Sequence, residues 1–281
     1  MTEAVLYDAV GPRGRRRILV GSVAGLLLLA VVIGAAVARL AAKGGFEADL
    51  WRVLTRGDVQ RLLGRGLAAT LRAAAFAMVL SMTVGAVLAV ARLSRRGWLA
   101  RPAGAWVELF RGLPLLLLIL FLFLGLPAVG VTISTFWTLV AGLTLYNSAV
   151  LGEIFRAGIL SLPTGQTEAA YAIGLRRGQT LRMILLPQAV RRMLPALISQ
   201  AVTLLKDTSL GFVIGYAELL RNGRNAVEFL GGKYSIPIYT AIAVVYIAVN
   251  ASLSFLARWL DRRTRRQIGP TVQPSVADEA A

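Results

Sequence analysis

The sequence predicts an all-α, polytopic membrane protein of about six transmembrane helices, and three observations carry that prediction. Of 281 residues, 57% are hydrophobic, a further 28 are glycine, and only 16% are charged, whereas soluble domains carry about 25% charged residues. The apolar residues fall in blocks of roughly twenty, the length a helix needs to cross about 30 Å of hydrocarbon at 1.5 Å per residue. The net charge of +17 lies between these blocks. Arginine flanking apolar spans is the pattern of a membrane protein oriented by its positive loops, and the aromatic interleaving of a single-strand nucleic-acid binder is missing. No nucleic-acid partner is expected.

The first span is drawn from Ile18 to Leu40, directly after Arg13, Arg15, Arg16 and Arg17. Ala36-Val37-Ala38 resembles a signal-peptidase site, but the apolar stretch exceeds the roughly 7–15 residues of a signal core, so it reads as a retained span. Residues 41–65 are a polar loop with an interfacial helix. The second span runs from Gly66 to Ala91, with Arg72 near its start, where a long side chain reaches the headgroups. The third includes Leu113–Leu126 and begins near Ala105, because fourteen apolar residues are short for a crossing. Leu126-Pro127-Ala128-Val129-Gly130 is a tight turn, and the fourth span runs from Thr132 to Leu151. Gly152–Arg192 is the largest internal hydrophilic segment. A fifth span lies within Met193–Ile214, bracketed by Pro187 and Pro195, and a sixth runs from Ile236 to Leu256. The remainder is a basic tail with a proline-containing, disordered end.

Orientation follows from counting. The N-terminus, Ala91–Gly112, Gly152–Arg192 and the tail carry twenty Lys and Arg, and the two opposite loops about half as many, so both termini are expected in the cytoplasm.

With no cysteine or histidine, thiol catalysis, a Ser-His-Asp relay and metal ligation through those residues are excluded. The one Walker-like fragment, Gly231-Gly232-Lys233-Tyr234, has Val227 in place of the leading glycine and Tyr234 in place of the magnesium-ligating Ser or Thr, so no nucleotide binds there. Gly21-x-x-x-Gly25 and Gly211-x-x-x-Gly215 are spacings that chance supplies in a glycine-rich chain. Lys206 and Asp207 interrupt the fifth span, and charge at membrane depth marks a functional site. Adjacent residues point about 100° apart on a helix, so a local break or separate partners is implied. Two readings stand for them, a structural ion pair and a contact to solute. Asn147 and Gln200 read as helix-packing hydrogen bonders.

The hydrophilic segment holds a short helix. Thr164 after Pro163 is an N-cap, Glu168 sits near the positive end of the dipole, and Gly174 supplies a left-handed C-cap. Small side chains there let another surface approach. By composition alone this is an ordinary interfacial helix with alanine for propensity. The spacing says more. Glu168-Ala169-Ala170, three residues, Gly174, nine residues, Ile184, one residue, Leu186-Pro187 resembles at every position the EAA loop of ATP-binding-cassette (ABC) importer permeases. The resemblance runs from Gly66 to Arg258 and is similar to the polar amino-acid branch of that family. It is carried also by Glu108–Leu115, Asn147-Ser148-Ala149, Glu153–Ile159, Gly165-Gln166, Leu186–Ala189 and Leu205-Lys206-Asp207-Thr208-Ser209-Leu210. The extra first span, with Val5–Asp8 and Gly11-Pro12-Arg13, is similar to glutamate-type permeases of actinobacteria. Leu113, where the family has Thr, and Ala149-Val150-Leu151, where it has Ala-Ala-Tyr, depart from the pattern and bear on the substrate.

The resemblance implies a type I ABC importer permease: residues 1–17 cytoplasmic, 18–40 an added transmembrane helix, 41–65 extracytoplasmic, 66–258 the permease core with its EAA loop at 164–187, and 259–281 a cytoplasmic tail. It implies a multi-pass protein of the bacterial plasma membrane, surrounded by lipid, with no catalytic site and no cofactor of its own, ATP being bound by a partner. A dimer of ATPase subunits, a second permease subunit and an extracytoplasmic binding protein that delivers an amino acid, glutamate among the options, are the implied partners. Glu168, Ala169, Ala170 and Gly174 would couple to the ATPase, and Asn147, Lys206, Asp207 and Thr208 are the candidate translocation path. An ion-coupled secondary amino-acid transporter is the alternative, although intramembrane acids in inverted repeats are not visible. A membrane enzyme would need clustered carboxylates at one face, and the acids here are scattered.

Overall fold

A computed structural model describes residues 11–42 and 44–265, and every regular element among them is helical. The opening Val5–Asp8 and the end of the tail lie outside the described residues. α1 spans Pro12–Ala42 and has no buried residue. A helix whose long apolar run is exposed on every side suits a lipid surround. The loop after it holds α2 (Ala48–Trp51) and a 3₁₀ turn (Arg52–Thr55), the interfacial helix expected there, and the Trp51 indole donates to Gly45 O at 3.3 Å.

α3 covers Gly57–Arg92 and so begins upstream of the Gly66 start drawn from the sequence. Where one third span beginning near Ala105 was expected, the chain forms α4 (Gly97–Gly112) and α5 (Leu115–Ala128), bent by 99°. The cause is Pro114. A proline disfavours the helical region for the residue before it, and Leu113 takes the extended φ −89°, ψ 134°. The tight turn at the end of α5 is present, with Gly130 at φ +81° and Val131 N–H donating to Leu126 O at 2.9 Å.

α6 (Thr135–Leu160) continues past Leu151 into the segment read as hydrophilic. α7 (Thr164–Ala172), α8 (Arg177–Gln179) and a π-helical turn (Thr180–Leu185) follow, then α9 (Leu186–Asp207) with Pro195 inside it. After a 3₁₀ turn (Thr208–Phe212) come α10 (Leu219–Leu230) and α11 (Ser235–Arg265). The helices α1, α3, α6 and α11 are individually long and apolar enough to cross a membrane, and the bent α4–α5 pair makes a fifth candidate. The remaining expected span, α9, is not among them: it ends at Asp207 and carries Arg191, Arg192 and Lys206 along its 22 residues, so by length and composition the described residues hold four or, with the bent pair, five of the six expected spans.

The core is the α3–α6 interface. Ala73, Ala77, Ser81, Gly85 and Ala89 repeat every four residues along α3, all buried, and form a stripe of small side chains that lets backbones approach in lipid, where apolar burial supplies no driving force between helices. A β-carbon on Gly85 would stand 3.0 Å from both Gly152 N and Ser148 O. Gly85→Val is therefore expected to destabilise the bundle by about 3 kcal/mol, read as a lower thermal midpoint and less folded protein in mild detergent. Gly104→Val, at a glycine with nothing within 4 Å, controls for helix propensity and should leave both nearly unchanged.

Candidate functional site

Two regions gather the residues singled out in the sequence, one at the end of α9 and one beyond the C-terminal ends of α3 and α6. In the first, α9 stops at Asp207. The Thr208 hydroxyl donates to Leu205 O at 2.7 Å and the Ser209 hydroxyl to Lys206 O at 2.7 Å, which closes the helix into the 3₁₀ turn. For these adjacent charges a local break or separate partners was expected, and the helix end follows directly after both, at Thr208. Lys206 is exposed while Asp207 is half-buried, and among the described residues neither forms an ion pair.

Lys206 lines a cavity of about 710 Å³ with Ser209, Tyr239, Tyr246, Asn250 and Ser254, floored by Leu220, Ile242, Ala243 and Ile247. Asn250 Nδ2 donates to Tyr246 O at 2.7 Å, and its Oδ1 is buried with no hydrogen-bond partner among the described residues. An exposed ammonium that forms no ion pair with any described residue, hydroxyls and apolar walls suit a small anionic or zwitterionic solute, whose carboxylate would neutralise the lysine. Asn147 is not at this cavity. It is wholly buried, donates to Leu143 O at 2.8 Å and accepts from Gln200 Nε2 at 2.6 Å, so it joins α6 to α9 as the packing pair read from the sequence. Thr208 is wholly buried as well.

The cavity wall is held by a residue that the sequence reading passed over. Glu218 is fully buried, yet its carboxylate is well supplied with donors: Leu220 N–H at 2.8 Å, Arg221 N–H at 2.7 Å and the Tyr246 hydroxyl at 3.0 Å. It caps α10 and ties it to α11. The same turn is fastened to α3, because Tyr216 donates its hydroxyl to Ala69 O at 3.0 Å, Leu219 N–H donates to Thr70 Oγ1 at 3.1 Å and Asn222 Nδ2 donates to Leu62 O at 3.1 Å. A β-carbon on Gly66 would meet Leu219 Cα at 2.8 Å, so the approach of α10 to α3 depends on that glycine. Its signal in the sequence is the spacing Leu219, Asn222, Gly223, Ala226, one buried helical face preceded by an acid at the cap. Arg72, expected to extend to the headgroups, instead lays its guanidinium over the Phe136 ring, 4.6 Å from the centroid.

The second region is α7. Thr164 is its first helical residue and Pro163 its N-cap, with no side-chain cap bond, which corrects the N-cap assigned to Thr164. Proline before the helix supplies the extended backbone that a capping threonine would have provided. The C-terminal end is as expected. Gly174 has φ +83°, Gly174 N–H donates to Tyr171 O at 2.9 Å and Leu175 N–H to Ala170 O at 3.0 Å, the paired bonds of a Schellman turn. Ala170 alone is buried, while Glu168, Ala169, Tyr171, Ala172 and Ile173 are exposed, Ile173 at 77%. An isoleucine so exposed beside alanines makes a small apolar platform with a carboxylate at its edge.

α7 is fastened to the membrane helices. Gln188 Nε2 donates to Gln166 Oε1 at 3.3 Å and to Ile184 O at 2.9 Å, and Arg192 reaches Ser161 O at 2.6 Å. Beneath it Leu162, Ala189 and Met193 form a separate buried cluster. At the adjoining end of the bundle Glu153 binds Arg92 of α3 and Arg156 of its own helix, the latter with Nε to Oε1 at 3.1 Å.

A family model described as "Binding-protein-dependent transport system inner membrane component" matches residues 81–266. The chain belongs to this family. It is 41% identical over 200 residues to the "Probable glutamine ABC transporter permease protein GlnP" of Bacillus subtilis, covering 70% of this chain and 91% of that protein. It is 37% identical over 230 residues to the "Glutamate transport system permease protein GluD" of Corynebacterium glutamicum, covering 80% of this chain and 84% of the relative. Among solved structures, an amino acid ABC transporter crystallised with histidines matches with a TM-score of 0.70 at 31% identity, over 75% of this chain and 97% of that one. The type I importer permease fold expected from the resemblance is the fold observed. In this permease the Walker-like fragment is a helix connection: Gly231, at φ +107°, donates its N–H to Val227 O at 2.9 Å and ends α10.

Proposed function

We propose that this permease imports a polar amino acid, with an acidic one such as glutamate preferred, through a path formed with a second permease chain and driven by a separate ATPase. The observation that carries the reading is α7: an exposed apolar platform on a rigid Schellman-capped helix, fastened to α9. Its position at the positively flanked ends of the spans supports a cytoplasmic location, and with it both termini inside. An ATPase dimer that closes on ATP would grip the platform at Glu168, Ala169 and Ile173. Ala170 supports the turn from within, and Gly174 sets its geometry.

α9 would transmit the movement. It begins at the Gln166–Gln188 contact, passes the Asn147–Gln200 contact and ends at Lys206 and Asp207, about 28 Å from Gln188, beside the cavity. A shift of α7 then moves the cavity wall, so nucleotide state biases inward- against outward-facing arrangements. The unpaired Lys206 ammonium is what favours a substrate with a second carboxylate, and the likeness to a glutamate permease points the same way. An extracytoplasmic binding protein would deliver that substrate.

The test uses the fact that the chain contains no cysteine. In the assembled transporter Ala169→Cys labelled with a maleimide-benzophenone should photocrosslink to the ATPase subunit, and Ala170→Cys, facing inward, should not. Equal crosslinking at the two positions, or none at Ala169→Cys, would contradict the docking.

A further inference from the structure

The cytoplasmic end of the molecule has a second opening that the transport path does not use, a groove of about 550 Å³ between the end of α3, the end of α6 and α7. Its floor is apolar and open, with Val90 57% exposed, Leu160 58% and Tyr171 44%. Its rim is basic: Arg95 and Arg177 line it, Ser94 adds a hydroxyl, and no acidic side chain does. Arg177 is held in place by donating to Leu93 O at 2.5 Å, whereas Arg95 forms no hydrogen bond or ion pair with any described residue. The groove lies where the apolar run of α3 gives way to Arg92, Arg95 and Arg96, the level of a headgroup layer, and Trp98 just beyond is 68% exposed, as interfacial tryptophans are.

We infer that this groove binds an anionic phospholipid of the inner leaflet, its phosphodiester between Arg95 and Arg177 and its acyl chains along Val90 and Leu160. Two guanidiniums without an acid are matched by phosphate, for which arginine is the better-suited cation. An apolar floor running on from the rim distinguishes a lipid from a free phosphate. Basic pockets between transmembrane helices on the cytoplasmic side take such headgroups. Because Tyr171 of α7 forms part of the wall, an occupied groove would brace the coupling helix against α3.

Native mass spectrometry of the purified transporter, permease with its ATPase, tests this with three probes: phosphatidylglycerol, phosphatidylcholine and glycerol 1-phosphate. Phosphatidylglycerol should be retained in preference to phosphatidylcholine, and glycerol 1-phosphate should bind only weakly. Arg95→Gln, which breaks no contact of the fold, should reduce phosphatidylglycerol retention roughly fivefold, and adding Arg177→Gln roughly fivefold again. Unchanged retention by Arg95→Gln, or equal retention of phosphatidylcholine, would overturn the proposal. So would glycerol 1-phosphate binding as tightly as the lipid, which would make the ligand a soluble phosphate, or a complex that retains no phosphatidylglycerol, which would mean the ATPase covers the groove.

Discussion

Gly174→Val is expected to lower ATP-driven uptake roughly tenfold or more while leaving the permease inserted and folded. At φ +83° an L-residue costs about 1–2 kcal/mol, and a β-branched one is a greater outlier still. Nothing lies within 4 Å of the added β-carbon, so the effect comes from backbone strain and not from collision. The turn relieves that strain by opening, which breaks the Gly174–Tyr171 and Leu175–Ala170 hydrogen bonds and displaces Ile173 from the platform. ATP hydrolysis should then persist without responding to the loaded binding protein. Gly174→Asn, a residue that tolerates the left-handed region, should retain most of the uptake. If valine transported as well as glycine, the turn would have no part in coupling.

The Gly174 turn was legible because its signal is local: a helix of small residues, a proline before it and a glycine after it. Spans of sufficient length were legible for a similar reason, since hydrocarbon thickness sets a length that any sequence must meet. The bend at Leu113-Pro114 is not legible in apolar content, which runs unbroken into α5; only the backbone restriction that proline places on its neighbour marks it. The end of α9 at Asp207 is not legible within the Met193–Ile214 bracket, because a helix with one polar face and one apolar face shows the same average over a window wherever its end falls. Glu218 is the most instructive omission. In a polar stretch an acid reads as solvated, and only the return of α10 against α3 and α11 reveals that it is buried and bonded. The small-residue stripe from Ala73 to Ala89 stands in the sequence at a period of four, less conspicuous than the Gly21 and Gly25 pair, where an added β-carbon would meet no described atom outside its own stretch of helix within 4 Å.

The second large effect is expected at Lys206. Lys206→Met should reduce uptake by about one to two orders of magnitude, the worth of a charge-assisted hydrogen bond of about 1.5–3 kcal/mol to a substrate carboxylate. The amount of folded protein should not change, because the ammonium makes no bond within the fold. Asp207→Asn separates the two readings of the pair. A solute contact lowers uptake at constant abundance, whereas a buried structural ion pair, once broken, costs about 3–5 kcal/mol and lowers abundance. The divergent exposure of the two side chains favours the former. Lys206→Met with full uptake would remove the cavity from the path.

Transport by the reconstituted complex decides the central claim that this chain couples ATP to amino-acid import. Proteoliposomes holding the permease with its ATPase, the loaded binding protein outside and ATP enclosed, should accumulate labelled glutamate, and accumulation should survive ionophores that collapse the proton and sodium gradients. Accumulation without ATP, following an imposed ion gradient and abolished by the ionophores, would contradict it.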